Sequence, residues 1–278
     1  MTILLFTALV WIGAVIAGFL GALTGLGGGV VVVPLLTILL HVDIRYAIGA
    51  SLVSVIATSS GAAAAYVREG FSNIRIGMFL EVATTFGALL GAYIAAIAPT
   101  KAIAIVFGLV LLLSAFLSAR EKHGSRLVKP PDPLATRLRM NGSFPATGGL
   151  EHYNVYNVPG GFSLMFAAGT LSGLLGIGSG AVKVLAMDQA MKIPFKVSTT
   201  TSNFMIGVTA AASAGLYLSR GWIDPGLAMP VMLGVLTGSI IGARVLVGAR
   251  VKVLRYLFSA VIVALGLEMI YNALRGRL

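Results

Sequence analysis

The chain has 278 residues, of which 58% are hydrophobic and 10% are charged, and none is cysteine. A soluble domain carries about a quarter charged residues, so this composition excludes a soluble protein, and the lack of cysteine excludes disulfides and thiolate chemistry. The net charge of +11 comes mainly from residues between the apolar runs, which is typical of membrane-protein loops and gives no reason to expect nucleic acid binding.

Ten apolar segments follow one another along the chain in two sets of five. We interpret them as helices, because lipid requires a self-paired backbone and the alternation typical of a β-barrel is absent. The first set is predicted near 2–24, 28–40, 46–67, 76–97 and 102–119, and the second near 160–176, 179–191, 197–219, 225–246 and 253–274. The sequence therefore predicts an all-α, polytopic membrane protein. Its first segment lacks a basic flank, so we expect a span and not a cleaved signal peptide.

The two sets are internal repeats related by a shift of 151 positions, which places Gly25 on Gly176 and Gly87 on Gly238. Each repeat contains three clear spans, an odd number, so the second repeat is expected to enter the membrane inverted, as in many secondary transporters. The predicted division is a first transmembrane repeat, a connector and a second transmembrane repeat, over 1–119, 120–159 and 160–278.

The connector is rich in lysine and arginine, which the positive-inside rule places in the cytoplasm. Both termini then lie outside, and the protein is expected in the cell (inner) membrane as a multi-pass protein. Aromatic and β-branched residues around 138–144 and 151–158, with ATGG between them, predict a small β-hairpin in the connector.

Glycine-rich breaks precede the short segments 28–40 and 179–191. At 1.5 Å per residue each short segment spans about 20 Å, too little to cross a hydrocarbon layer of about 30 Å, so we expect it to stop near the midplane. A helix that begins there offers unpaired N–H groups and its positive dipole end to an anion. The predicted binding residues at the breaks are Gly25, Gly27, Gly28, Gly29, Gly176, Gly178, Ser179 and Gly180. By contrast, Gly87 and Gly91, and Gly238 and Gly242, are expected to serve helix packing.

Polar side chains cluster at the start of the span after each break. Hydroxyls can bond back to their own helix, but six consecutive polar residues from Ser198 to Asn203 suggest that some face a wet cavity. The predicted hydrogen-bonding residues are Ser51, Ser54, Thr199, Ser202 and Asn203.

Lys183 follows the second break at a position where the first repeat has Val32. A charge at membrane depth costs at least a few kcal/mol, so Lys183 is expected to neutralise a bound anion, to pair with Asp188 or Glu81, or to extend to the interface. Glu81 is a candidate for proton coupling, although its place towards one end of its span leaves a solvated or structural role open.

At these residues the chain resembles the TauE/SafE family of sulfite and sulfonate exporters. The motifs that carry the resemblance are the breaks LTGLGGG (23–29) and GLLGIGSG (173–180) and the stretch TSNFMIGVTAAASAG (201–215), and it extends over nearly the whole chain. It implies a bacterial or archaeal inner-membrane permease that moves small sulfur-containing or organic anions with an ion gradient. Ser179 replaces the glycine found at position 28 of the first break, which makes the two half-sites unequal.

These observations predict a secondary transporter that moves a small anion, such as sulfite or an organosulfonate, by alternating access. A permease for small carboxylates and a passive anion channel are the alternatives. No Glu, His and Cys cluster lies at membrane depth, so we expect no enzyme, metal or cofactor. The expected partners are the anion, the lipid bilayer and a coupling proton or sodium ion; a homodimer is left open.

Overall fold

The computed structural model describes residues 3–24, 28–68, 72–119, 132–146, 149–246 and 251–276. All ten predicted apolar segments are helical, and no predicted end differs from the observed one by more than two residues. The helices are α1 (Ile3–Thr24), α2 (Gly29–Pro34), α3 (Ile44–Arg68), α4 (Ile74–Ile97), α5 (Thr100–Ala119), α6 (Pro133–Arg137), α7 (Val158–Leu175), α8 (Gly180–Leu185), α9 (Phe195–Ser219), α10 (Pro225–Leu246) and α11 (Val251–Leu274). The prediction of an all-α, polytopic membrane protein is confirmed.

Four of the described helices are long and apolar enough to cross a membrane: α1, α4, α7 and α10. The two short helices, α2 and α8, each continue into a π-helical turn, at Leu35–Leu39 and Ala186–Ala190. Each helix of six residues with its turn of five extends about 17 Å. That length is too short to cross the hydrocarbon layer.

The second five-segment set repeats the first at a spacing of 151 residues: α2 and α8, their π-helical turns, and α3 and α9 begin and end in register. The contacts repeat as well, since α1 packs on α10 and α4 packs on α7, while α3 pairs with α9 and α5 with α11. If each helix is replaced by its equivalent in the other repeat, the same four pairs result. This is the contact pattern expected when two repeats are related by two-fold symmetry. The inverted orientation of the repeats in the membrane stays a prediction.

Close helix packing explains three of the glycines that were assigned to it. A Cβ atom on Gly87 or Gly91 of α4 would overlap a carbonyl oxygen of α7, and one on Gly238 of α10 would overlap a carbonyl oxygen of α1. Small residues at these positions let the helix backbones approach each other directly.

The connector contains the expected hairpin. Strands β1 (Gly142–Ala146) and β2 (Gly149–Tyr153) pair antiparallel, with Gly142 opposite Tyr153. The strands are shorter and closer together in sequence than predicted, and their connecting residues 147–148 lie outside the described part. Helix α6, which the sequence reading missed, is capped by Asp132, whose other carboxylate oxygen accepts the Val158 N–H at the start of α7.

The connector docks on the first turn of α4. The Asn73 side chain accepts the Ile76 N–H to cap α4 and donates to the Met140 carbonyl and the Tyr153 hydroxyl. Beneath these bonds lies a second apolar core formed by the start of α4, the connector and the segment after α8, with Leu80 among its buried members. The connector is therefore joined to both repeats.

Candidate functional site at the helix breaks

The second glycine cluster interrupts the helix completely. Helix α7 ends at Leu175, and the chain then adopts positive φ at Gly176 (66°), Gly178 (68°) and Ser179 (44°) before α8 begins. This left-handed region favours glycine, so two glycines permit the turn and Ser179 occupies it against its intrinsic preference. The predicted break is present in the structure.

Two buried hydroxyl groups have no hydrogen-bond partner among the described residues: Ser172 Oγ, in the last turn of α7, and Ser179 Oγ, in the break itself. Ser172 is fully buried and Ser179 is 4% exposed. An unsatisfied buried polar group costs about 1–3 kcal/mol, so native proteins rarely retain one without a reason. Ser172 was not singled out from the sequence, although it stands within the same glycine-rich stretch.

The two breaks meet inside the protein. Ser51 Oγ on α3 donates to the Gly176 carbonyl at 2.8 Å. A Cβ atom on Gly29 would lie 2.6 Å from Ser51 Oγ and 3.2 Å from the Gly176 carbonyl. Gly28 also lies in the described part and is buried, whereas Gly25 and Gly27 lie outside the described residues.

The other predicted polar residues divide into two groups. Ser202 lies at the second break, where its hydroxyl donates a long 3.4 Å bond to the Gly180 carbonyl. Ser54 and Thr199 donate to carbonyls of their own helices at 2.7 and 2.9 Å. These two hydroxyls are therefore satisfied within one helix, which was the alternative to facing a wet cavity. Asn203, next to Ser202, is only half-buried.

Lys183 is fully buried, so the expectation that it extends to the interface is wrong. Its ammonium group donates to Thr209 Oγ1 at 2.5 Å, and Thr209 Oγ1 donates to Glu81 Oε1 at 2.6 Å. The Lys183–Thr209–Glu81 chain thus joins α8, α9 and α4, and the predicted association of Lys183 with Glu81 runs through a hydroxyl group. Glu81 is 8% exposed, which excludes the solvated role.

Helical side chains point back towards the start of their own helix, so the Lys183 side chain is expected to extend from α8 in the direction of the break. Ile206, one turn before Thr209 on α9, packs over the break: a Cβ atom on Gly178 would lie 2.8 Å from its side chain. Further along α9, the Tyr217 hydroxyl donates to the Gly173 carbonyl at 3.2 Å. Thr209 lies between these two contacts.

The chain of polar groups is formed by residues of both repeats, and the positions equivalent to it under the repeat do not form a second one. A shift of 151 positions relates Lys183, Thr209 and Glu81 to Val32, Thr58 and Met232. The Thr58 hydroxyl donates to carbonyls of its own helix at 3.0 and 3.2 Å. Thr209 was missed in the sequence analysis; the threonine shared by both repeats was the signal that could have identified it.

Comparison with known protein families shows which family the chain belongs to. The family model described as Sulfite exporter TauE/SafE matches residues 10–269. The chain belongs to the TauE/SafE family. A probable membrane transporter protein of Bacillus subtilis, YunE, is 28% identical over 97% of this chain and 98% of its own length. A second one, YdhB of the same organism, is 29% identical over 83% of this chain and 84% of its own length.

An archaeal relative, the probable membrane transporter protein MJ0441 of Methanocaldococcus jannaschii, is 24% identical over 96% of both chains. No solved structure matches the chain significantly. TauE/SafE membership makes this chain a multi-pass membrane protein of a transporter family, not of an enzyme family, and implies a small substrate.

Proposed function

We propose that this TauE/SafE protein is a secondary transporter that binds a small oxyanion where the two breaks meet and moves it by alternating access. The observation that carries the proposal is the second break. Ser172, one turn before it, and Ser179, within it, hold buried hydroxyls that have no partner among the described residues, and the helix that follows carries the fully buried Lys183. Each of these groups supplies a hydrogen-bond donor, and Lys183 supplies positive charge.

The donor set favours an anion with several oxygen atoms. The first N–H groups of a helix have no intrahelical acceptor, and those of α8 adjoin the Ser179 hydroxyl. Sulfite and short sulfonates present three oxygens to such donors, and a small carboxylate presents two. We therefore propose small oxyanions as the substrate class, with sulfite and sulfonates first.

We infer the orientation in the membrane from the loop charges and the repeat. We place the connector in the cytoplasm and both termini outside the inner membrane. The two-fold contact pattern of the helices supports an inverted repeat, and in such transporters one half moves against the other around a central site. Movement of this kind would open the breaks to each side in turn.

Thermal unfolding of the purified protein with sulfite, methanesulfonate, sulfate or acetate tests the site. A ligand at 100 times its Kd stabilises the folded state by about 2.7 kcal/mol, and we expect Ser179→Ala to reduce that gain. Ser163→Ala, an exposed serine of α7, is the matched control and should keep it. A protein that none of these anions stabilises would contradict the proposal.

Counterflow in proteoliposomes separates a carrier from a channel. A carrier accumulates labelled anion transiently against an internal excess of the same unlabelled anion, because the loaded site exchanges from one side to the other. A passive channel shows no such accumulation. Anion flux without counterflow would therefore overturn alternating access while leaving the anion site in place.

A further inference from the structure

We propose that Glu81 carries a proton that moves together with the anion, so that the protein couples one proton to one monovalent anion in the same direction. This inference rests on the proposed anion site at the breaks. It specifies the coupling ion, the residue that carries it and the charge balance of transport.

The charge balance of the buried site requires the coupling. Lys183 and ionised Glu81 have a net charge of zero, and both lie inside the protein. A monovalent anion added beside them would leave one uncompensated negative charge at low dielectric, which is strongly unfavourable. When Glu81 takes up a proton, Lys183 and the anion balance each other, so the anion and the proton enter together.

The geometry leaves one carboxylate oxygen available for that proton. Glu81 Oε1 accepts from Thr209 at 2.6 Å and from Thr85 at 3.4 Å. Oε2 is buried and has no hydrogen-bond partner among the described residues. A charged oxygen that is buried without a hydrogen-bond donor is unfavourable. We therefore place the proton on Glu81 Oε2, where it neutralises that charge.

Thr209 can release Glu81 when Glu81 is protonated. Its hydroxyl has a single proton and three acceptors in reach: Glu81 Oε1 at 2.6 Å, the Met205 carbonyl of its own helix at 2.9 Å and Thr84 Oγ1 at 3.4 Å. Glu81 accepts this hydrogen bond more weakly when it is protonated than when it is ionised, because hydrogen bonds to ionised groups are about twice as strong. The hydroxyl can then turn to Met205, which breaks its bond to Glu81 while its oxygen still accepts from Lys183. The charge of the ammonium group is then no longer balanced by Glu81 and can balance the anion.

Few other charges face this pair. Helix α4 packs on α7 and α9, and α7 carries no titratable residue in its sequence. The titratable groups on the packed segments are Arg75, Glu81 and Tyr93 on α4, Lys183 and Asp188 on α8 and its π-helical turn, Lys196 and Tyr217 on α9, and Lys101 on α5, which packs on α8. Of the carboxylates among them, Asp188 is half-buried and Glu81 is the one hydrogen-bonded to the Lys183–Thr209 pair.

The asymmetry of the repeat argues against a purely structural pair. The positions related to Lys183 and Glu81 by the repeat hold Val32 and Met232, so the equivalent helix packing is built without charge. A buried ion pair seldom stabilises a fold more than apolar residues of similar size. Both charges are therefore present at one half-site for a reason other than packing.

Proteoliposomes with an internal pH indicator test the coupling, with methanesulfonate as the probe because it stays a monovalent anion at every pH used. An inward methanesulfonate gradient should acidify the lumen by one proton per anion, and a potassium diffusion potential of either sign should leave the initial rate unchanged. Methanesulfonate flux that follows the potential without moving protons would overturn this inference alone. No flux or counterflow of methanesulfonate, sulfite or acetate would overturn the proposed function, and this inference with it.

Glu81→Gln provides the second readout. The variant should keep methanesulfonate counterflow, lose proton movement by at least tenfold, and make net uptake sensitive to the potential. Wild-type affinity for methanesulfonate should fall tenfold per pH unit once Glu81 ionises, whereas the variant should show no such slope. Glu268→Gln, at an exposed glutamate of α11, is the matched control and should behave as wild type. A folded Glu81→Gln protein that still moves protons with the anion would contradict the assignment.

Discussion

The hydroxyl of Thr209 connects two buried charges, and removing it gives a sharp prediction. Thr209→Val keeps the side-chain shape but deletes the atom that accepts from Lys183 at 2.5 Å and donates to Glu81 at 2.6 Å. Hydrogen bonds to charged groups contribute roughly 1.5–3 kcal/mol each. The charges still attract each other in the variant, so we expect a loss of about 3 kcal/mol in the free energy of unfolding.

Thr58→Val is the matched control for this substitution. Thr58 is the repeat equivalent of Thr209, but its hydroxyl donates only within its own helix, and its side chain is half-buried. We expect its loss to cost less than about 1 kcal/mol.

Thermal unfolding of both variants in detergent measures the difference. A change of 1 kcal/mol shifts the Tm of a protein of this size by about 2–4 °C, so Thr209→Val should lower the Tm by about 6–12 °C and Thr58→Val by under about 4 °C. Equal shifts for the two variants, or no shift for Thr209→Val, would refute the bridging role of the hydroxyl.

Three further substitutions test other parts of the structure. Gly91→Ala should lower stability by about 1–3 kcal/mol, because its Cβ would overlap a carbonyl of α7; Gly215→Ala, which faces open space, should not lower the Tm. Ser179→Gly should raise stability by up to about 1 kcal/mol, since φ there is 44°, and at the same time weaken anion binding in thermal shift. Burial raises the pKa of the Tyr153 hydroxyl, so the folded state holds that proton more tightly and stability should decline above about pH 10. Tyr153→Phe should flatten that alkaline decline in Tm, and an unchanged decline would contradict the burial of this hydroxyl.

The helices could be predicted because their signals are local. Apolar runs, charged loops and glycine breaks each depend on a few neighbouring residues. Each predicted segment was also supported by its equivalent in the other repeat. The same reasoning located the second break and identified Lys183 as an unusual residue. Helix α6 was missed because it is a single capped turn of five residues, too short for any periodicity to show.

The partners of the buried polar groups could not be predicted, since they depend on tertiary contacts. Thr199 and Ser202 share one face of α9, yet only Ser202 reaches the break. Which carboxylate Lys183 would approach was undecided in sequence, because Glu81 lies 102 positions away. Thr209 became recognisable only when the helices around it were in place.

The proposed function requires that an anion dissolved in water can reach the second break. The natural chain has no cysteine, so Ser179→Cys places a single thiol at the break with little change in size. We predict that an anionic methanethiosulfonate reagent labels this thiol in membranes and that excess methanesulfonate slows the labelling, while Ser163→Cys is labelled at the same rate with or without the anion. A Ser179→Cys thiol that never reacts, or that reacts at a rate no oxyanion changes, would contradict the account.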